Sequence, residues 1–203
     1  MQPLQLTGHE TGVDVGLKVF LITAEGETIE NPRHYRKAER QLATAQKRVS
    51  RRKKGSKRCR KAIALLQRKH QQVKRQQTDF HHKTALALVR RYDAIYLEDL
   101  QVAYMVRNPR LAKSISDAGW AAFRSILAGK AVYAGRRVVA VPPAFTSQEC
   151  SGCGERVPKS LSVRTHVCPS CGLVMDRDEN AALNILRAGQ AREGAVAQAA
   201  AVN

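Results

Sequence analysis

Two Cys-x2-Cys pairs constrain this chain of 203 residues more than any other feature of its sequence. The first pair is Cys150 and Cys153, the second is Cys168 and Cys171, and fourteen residues separate the two pairs. A Cys-x2-Cys turn directs two thiolates toward one point, so two such turns can complete a tetrahedron around Zn²⁺. Because all four positions are thiolates, no ligand position is left for water, and we expect the zinc to be structural.

Two other interpretations of the four cysteines remain open. A pair of disulfides would need an oxidising compartment, and nothing in the sequence indicates export. An iron–sulfur cluster also uses four cysteines, although its ligand spacings usually differ. We predict a zinc ribbon over residues 146–174. Cys59 lies far from both pairs, and we expect it to pack on a helix without binding metal.

The positive charge of the chain is concentrated in one segment. Residues 31–92 contain 21 Lys and Arg and two acids, a formal charge of +19, whereas the remainder of the chain carries −1. A solvated helix surface normally mixes both signs, so a stripe of one sign favours a polyanion such as a phosphate backbone. Aromatic residues are few, which argues against base stacking as the main contact. The candidate nucleic-acid-binding residues here are Arg48, Arg51, Arg52, Lys53, Lys54, Lys57 and Arg58.

Hydrophobic periodicity predicts alternating strands and helices. Strands are expected at 12–23, 28–30, 93–100 and 136–141, and helices at 33–52, 57–91 and from Ser114 or Ser116 to about 134. The first two helices would form a long basic hairpin over residues 32–92. Residues 1–10 have no clear pattern and are predicted to be a short tail, and the low-complexity residues 189–203 are predicted to be disordered.

The ends of the chain carry no recognisable targeting signal. The N-terminus lacks a basic region followed by an apolar core, and no apolar run approaches the length of a membrane span. We therefore expect a cytoplasmic protein with no membrane partner.

Three acids occupy positions that suggest metal binding. Asp14 lies within the first strand, Glu98 ends a later strand, and Asp178 begins the last helix. A charge inside an apolar strand costs several kcal/mol unless it is paired or binds a cation. Mg²⁺ or Mn²⁺ makes a cluster of carboxylates favourable, and two ions about 3.5–4 Å apart can clamp a phosphodiester during hydrolysis. The simpler alternative is that each acid is a surface charge or a helix cap.

Seven segments resemble, in order, the C-terminal half of the TnpB (OrfB) family of transposon-associated proteins, relatives of the type V CRISPR nucleases. They cover about residues 11–188 and read GVDVGLKVF, RVSRRKKGSK, DFHHKTALALV, YLEDL, LAKSISDAGWAAFRSIL, TSQECSGCG and CPSCGLVMDRDENAALNIL. The resemblance implies an α/β, RNase H-like (RuvC-type) mixed sheet with a long basic helical hairpin and an inserted zinc ribbon. The implied units are a core over 11–145, the ribbon over 146–174 and a last core helix over 175–188.

The resemblance also implies an activity and its residues. Family members cleave DNA with Mg²⁺ or Mn²⁺ under the direction of a guide RNA, so DNA and guide RNA are the expected partners. The implied catalytic acids are Asp14, Glu98 and Asp178, with Asp176 supporting the site or capping the helix. Arg164 matches a basic residue near the site and is a further candidate for contact with phosphate, and His166 stands where the family often has an aromatic residue.

Length separates this chain from the family, because only about ten residues precede GVDVG where the family has a region that binds guide RNA. We expect a metal-dependent DNA endonuclease. The first alternative is a catalytically idle RNA- or DNA-binding remnant of a transposon protein, and the second is a zinc-ribbon module for protein interaction.

Overall fold

The structure, a computed structural model, describes residues 3–143, 145–160 and 163–201. Its centre is a mixed five-stranded sheet in the order β3-β2-β1-β4-β5. Strand β2 runs antiparallel to both β1 and β3, whereas β4 runs parallel to both β1 and β5. The strands are β1 (Glu10–Val15), β2 (Val19–Thr23), β3 (Thr28–Glu30), β4 (Ala94–Glu98) and β5 (Arg137–Val141).

Helices cover both faces of this sheet, and a small sheet of two antiparallel strands lies outside it. The helices are α1 (His34–Ser50), α2 (Lys57–Arg91), α3 (Val102–Met105), α4 (Ala112–Ala118), α5 (Trp120–Ala134) and α6 (Arg177–Ala201). The small sheet consists of β6 (Thr165–Val167) and β7 (Val174–Asp176). Helix α2 has the predicted bounds, and it packs against α1 as the second arm of the predicted hairpin.

The two faces of the central sheet are buried by different helices. Val13 and Leu97 belong to the main apolar core, which also holds residues of α2 and α5. Tyr96 faces the other way and shares a second cluster with Ile185 of α6. Successive side chains of a strand point to opposite faces, so this arrangement places Asp14 and Glu98 on the α6 side. None of the helices in the described ranges is both long and apolar enough to cross a membrane.

The single strand predicted at 12–23 is two strands. The chain turns at Gly16, whose N–H donates to the carbonyl of Phe20 at 3.1 Å, and β2 returns antiparallel to β1. The apolar run is nearly continuous because one face of each strand is buried by the main core and the other faces α6. Periodicity alone therefore does not reveal the turn.

The helix predicted to end at residue 134 is interrupted at Gly119. Gly119 has φ of +66°, which ends α4 and begins α5 in a new direction. A Cβ atom there would lie 2.9 Å from Cε1 of the buried His81. Just before this break, Asp117 accepts hydrogen bonds from the N–H groups of Tyr35 (2.7 Å) and Arg36 (3.1 Å), and so caps the start of α1.

The prediction of a disordered C-terminal tail over 189–203 is wrong for the described residues, because α6 continues to Ala201. The alanine-rich sequence has high helix propensity. Glu193 also anchors this part, since it accepts a hydrogen bond from the Tyr96 hydroxyl and pairs with Arg137 at 3.2 Å. Residues 202–203 of the predicted tail lie outside the described residues.

The predicted N-terminal tail is fixed to the body of the protein from residue 3 onward, and its first two residues lie outside the described ranges. The N–H groups of Thr7 and Gly8 donate to the Asp93 carboxylate at 2.9 and 2.7 Å. Asp93 in turn pairs with the buried Arg136 at 2.7 Å. This short segment therefore contributes to the fold, and residue 10 already belongs to β1.

Candidate active site and zinc centre

The four cysteines of the two Cys-x2-Cys pairs meet at one point, with all four Sγ atoms within 4.8 Å of one another. The Sγ atoms of Cys150 and Cys171 lie 3.6 Å apart, as do those of Cys153 and Cys168. A Zn–S distance of about 2.3 Å gives a tetrahedron with edges of about 3.8 Å, whereas a disulfide needs about 2.05 Å. The donor set and its spacing fit a structural zinc ion and exclude disulfides between these partners.

Both Cys-x2-Cys turns are closed by the same backbone hydrogen bond. The N–H of Gly154 donates to the carbonyl of Cys150 at 2.8 Å, and the N–H of Gly172 donates to that of Cys168 at 3.0 Å. Hydrogen bonding from the backbone N–H of Cys171 is the main cause that lowers the pKa of Cys168 to about 7. The pKa of Cys171 is raised, however, so the four thiols do not all ionise readily without a bound cation.

Two asparagines of α6 hold the segment that leads into the first cysteine pair. The side-chain amides of Asn180 and Asn184 both donate to the carbonyl of Glu149, at 2.7 and 2.8 Å. Asn180 also accepts from the N–H of Ser151 at 2.9 Å, and Asn184 donates to the carbonyl of Thr146 at 2.8 Å. The sequence analysis missed this role, although the spacing of four residues places both amides on one face of a helix.

The structure brings together the three acids predicted to be catalytic. Val13 of β1 pairs with Leu97 of β4 in a parallel ladder, so Asp14 and Glu98 follow at adjacent strand ends. Burial raises the pKa of Asp14 well above its usual range, and the charges of Glu98 and Asp178 raise it further. Such mutual repulsion requires proximity, so acids from β1, β4 and α6 form one negatively charged cluster.

The individual acids have different partners. Burial raises the pKa of Glu98, while a hydrogen bond from the Thr146 hydroxyl to its Oε1 atom opposes that shift. Asp178 accepts hydrogen bonds from Arg177 at 2.7 Å and from Arg164 at 3.0 Å. Asp176 accepts from the N–H of Asp178 at 2.7 Å, which makes it the cap of α6, one of the two roles expected for it.

The acid cluster has the chemistry of a magnesium or manganese site. Carboxylate oxygens are the donors that these ions prefer, and a cation would offset both causes of the raised pKa of Asp14, which are burial and the neighbouring negative charges. Within the described ranges, however, the four cysteines are the one set of three or more His, Cys, Asp or Glu donors gathered this closely. The guanidinium groups of Arg164 and Arg177 occupy the oxygens of Asp178 instead.

Two cavities flank the acid cluster. One, of about 240 Å³, is lined by Asp14, Asp176, Asp178 and the ammonium-bearing Lys18. The other, of about 380 Å³, has Glu98 in its wall and is otherwise largely apolar. Acids of the cluster therefore lie in the walls of both cavities.

The basic residues predicted to bind nucleic acid divide into two groups. All seven between residues 48 and 58 are exposed at the tip of the α1–α2 hairpin. At about 1.5 Å per residue, this tip lies roughly 35 Å along α2 from His81, which packs in the core. The structure does not bring the tip to the acid cluster. Arg164, in contrast, contacts Asp178 directly.

The fold places the chain in a recognisable class of α/β proteins. It is similar to a Cas12f protein in a CRISPR-Cas12f ternary complex, with a TM-score of 0.66 and 23% identity over 91% of this chain and 39% of that one. It is also similar to a protein in a Cas12f1–sgRNA–target DNA complex, with a TM-score of 0.61 and 19% identity over 87% of this chain and 49% of that one. The class is therefore that of Cas12f-like α/β proteins with a four-cysteine module.

The family follows from the sequence. Residues 2–109 match the OrfB_IS605 family, described as "Probable transposase", and residues 120–185 match the Cas12f1-like TNB domain. The chain belongs to this family, that of the TnpB-like proteins, as the resemblance indicated.

Named relatives agree with this assignment. The chain is 40% identical to "Putative RNA-guided DNA endonuclease" of Streptomyces pristinaespiralis, over 93% of its own length and 47% of the relative's. It is 33% identical to "Putative RNA-guided DNA endonuclease InsQ" of Escherichia coli (strain K12), over 93% of its length and 51% of the relative's. The chain thus spans about half the length of these curated relatives.

Proposed function

We propose that this chain is a RuvC-type nuclease module that hydrolyses phosphodiester bonds of DNA with Mg²⁺ or Mn²⁺. The observation that carries the proposal is the convergence of Asp14, Glu98 and Asp178 from three separate elements. Structural charges do not normally form such a cluster, because each carboxylate raises the cost of ionising the next. The names of the relatives, which describe DNA endonucleases, support the same chemistry.

The mixed sheet supports the RNase H-like assignment of the core, because neighbouring parallel strands present two acids at the same sheet edge. In this proposal the core covers residues 11–145, and the zinc ribbon covers 146–174, of which 161–162 lie outside the described residues. The last core helix, predicted over 175–188, begins at Arg177, because Val174–Asp176 form β7, and it extends to Ala201.

Each residue of the cluster has a separate task in the proposed reaction. Asp14, Glu98 and Asp178 would hold Mg²⁺ or Mn²⁺, which would supply an activated water and offset the charge that develops on the phosphate. Asp176 fixes the backbone from which Asp178 projects. Arg164 is free to exchange its carboxylate partner for a phosphate oxygen when a strand enters, since its pairing with Asp178 is partly exposed.

The zinc ion has no direct part in this chemistry. Four thiolates fill its coordination sphere, so it can only fix the position of the surrounding chain. Through Asn180 and Asn184, that chain is attached to the first turns of α6, which begins beside Asp178.

Nucleic acid is the proposed partner, and the hairpin tip is its proposed electrostatic contact. The names of the relatives refer to RNA guidance, and one of the similar solved structures is a complex with sgRNA and target DNA. For this chain, contact of the tip with either polymer's phosphates is expected to depend on salt but not on sequence.

A cleavage assay on labelled single-stranded DNA tests the nuclease proposal. With Mg²⁺ or Mn²⁺, we expect weak nicking by the wild-type protein and a loss of at least about 100-fold in Asp14→Ala, as for removal of a group that binds the transition state. Asp79→Asn, which removes an exposed acid of α2, is the matched control and should keep wild-type activity. Equal activity in wild type and Asp14→Ala, or none in either, would contradict the proposal.

The concentration of charge in the hairpin favours a second candidate, a binding protein without catalysis. That candidate predicts nucleic-acid binding that weakens steeply with salt and is unchanged in Asp14→Ala. Both candidate functions predict nucleic-acid binding, so only the cleavage assay distinguishes them.

A further inference from the structure

We propose that Thr146 is a positioning residue for Glu98, and that through Thr146 the zinc module contributes to the affinity of the acid cluster for divalent cations. This inference rests on the proposed function, because it assigns Glu98 to the cation site. It adds a residue that neither the metal-ligand motifs nor the acid pattern identifies.

The geometry starts with one hydrogen bond between distant parts of the chain. The Thr146 hydroxyl donates to Oε1 of Glu98, and Thr146 is buried, with 7% of its surface exposed. Glu98 ends β4 and lies in the wall of an open cavity, where a long carboxylate side chain would otherwise sample several rotamers. The hydroxyl fixes one carboxylate oxygen and leaves the other available to a cation.

Thr146 is itself held by the zinc module and by α6. Its carbonyl accepts from the amide of Asn184 at 2.8 Å, and the same amide donates to the carbonyl of Glu149. Cys150, the next residue after Glu149, is one of the four clustered thiols. A continuous chain of contacts therefore runs from the zinc ligands through residues 146–149 to Glu98.

Side chains that donate hydrogen bonds to metal-binding carboxylates affect the metal affinity of other sites. Hydrogen bonds to a ligating carboxylate orient it, and their removal typically weakens metal binding by 10- to 100-fold. We therefore expect loss of the Thr146 hydroxyl to weaken cation binding by about 10-fold. A residue that only filled space would change stability and leave cation affinity intact.

The test measures Mn²⁺ binding to the zinc-loaded protein by isothermal calorimetry, without substrate. Thr146→Val keeps the β-branched shape and removes the hydroxyl, so its Kd for Mn²⁺ should rise about 10-fold. Thr146→Ser keeps the hydroxyl and should bind within about threefold of wild type. Zinc content should be unchanged in Thr146→Val, because the shape of the side chain is retained, whereas the thermal midpoint should fall by a few degrees, as for the loss of one hydrogen bond to a carboxylate.

A second pair of variants tests the link to the module. Asn184→Ala releases the carbonyl of Thr146 and should weaken Mn²⁺ binding, by less than Thr146→Val does. In the double variant the effects should not add, because both changes break one chain of contacts. Fully additive effects would overturn the link through Asn184.

The outcomes separate the two proposals. Equal Kd values for wild type and Thr146→Val, or loss of zinc from that variant, overturn the positioning role alone. Absence of Mn²⁺ binding in the wild type, or unchanged binding in Asp14→Asn, overturns the proposed function and this inference with it.

Discussion

Gly12 of β1 and Ala182 of α6 are in direct backbone contact: a Cβ atom on Gly12 would lie 2.0 Å from the carbonyl oxygen of Ala182. The helix thus lies on the strand with no side chain between them. Asp14 is two residues further along the same face of β1, so this contact sets how closely the start of α6, with Asp178, approaches Asp14. The glycine of the GVDVG segment is therefore part of how the acid cluster forms.

Replacement of Gly12 by alanine should strongly destabilise the protein. The added methyl would also lie 2.5 Å from the backbone nitrogen of Leu186, and a helix backbone cannot yield as a flexible side chain can. We expect a loss of about 3 kcal/mol or more in the free energy of unfolding, measured in urea.

Gly194→Ala is the matched control. Gly194 lies in α6, the helix that Gly12 contacts, and no atom lies within 4 Å of a Cβ added there. It should leave stability unchanged or raise it by up to about 1 kcal/mol, since alanine favours the helix. Similar stabilities for the two variants would show that α6 does not depend on the close contact at Gly12.

Asp14→Asn should stabilise the metal-free protein at neutral pH. Burial, together with the charges of Glu98 and Asp178, raises the pKa of Asp14, so the folded state binds its proton more tightly than the unfolded state does. The stability of the wild type therefore falls as the pH rises from the usual value of 3.8 through the raised pKa. Asparagine avoids this loss, and we expect a gain on the order of 1 kcal/mol at pH 7.

The measurement is the thermal midpoint of both proteins, in EDTA-free buffer without divalent cations, from pH 4 to pH 8. The gain should shrink toward pH 4, where Asp14 is protonated in the folded state and already about half protonated in the unfolded state. Added Mn²⁺ should stabilise the wild type and not the variant. A gain that is independent of pH would show that Asp14 is not the titrating group.

Parts of this site were predictable because local patterns encode them. The spacing of Cys150, Cys153, Cys168 and Cys171 was sufficient to predict that the thiols converge, since ligand turns of this kind are local structures. The bounds of α2 were predictable from an N-cap serine at one end and a run of helix-forming residues.

Other parts depend on contacts that no local pattern encodes. Gly119, where the predicted helix is interrupted, packs against His81, which lies 38 residues earlier in the sequence. Thr146 donates a hydrogen bond to Glu98 across 48 residues of sequence. The continuation of α6 beyond residue 188 depends on Gly189, where a Cβ would lie 2.0 Å from the Tyr96 ring. The sequence predicts that the last helix ends at residue 188, just before Gly189. In the structure, the small size of Gly189 instead allows α6 to pack against Tyr96.

Loss of one zinc ligand should unfold the module and weaken its attachment to α6. Cys168→Ser removes a buried thiol of the cluster, so we expect zinc content to fall from about one ion per chain to near zero and the unfolding free energy to fall by several kcal/mol. Zinc is measured by atomic emission after dialysis.

Cys59→Ala is the control. Cys59 is buried in α2 and is not one of the clustered cysteines, so zinc content should not change. Equal zinc loss in both variants would contradict the assignment of the site.

The tip of the α1–α2 hairpin should account for much of the salt dependence of nucleic-acid binding. Lys53 and Lys54 are exposed at this tip, and each phosphate contact contributes about 0.7 to the slope of log K against log salt for a single strand. Lys53→Gln/Lys54→Gln should therefore reduce the slope by about 1.4 if both contact phosphate.

The control is the double variant Arg90→Gln/Lys130→Gln, which removes the same charge from the far end of the molecule, beside the apolar cavity lined by Leu86 and Tyr133. It should leave the slope nearly unchanged. Fluorescence anisotropy across a salt series measures both. Because the tip lies far from the acids, Lys53→Gln/Lys54→Gln should not change the rate of cleavage at saturating DNA. Equal slopes in the two double variants would show that the general positive charge of the protein, and not the hairpin tip, binds the strand.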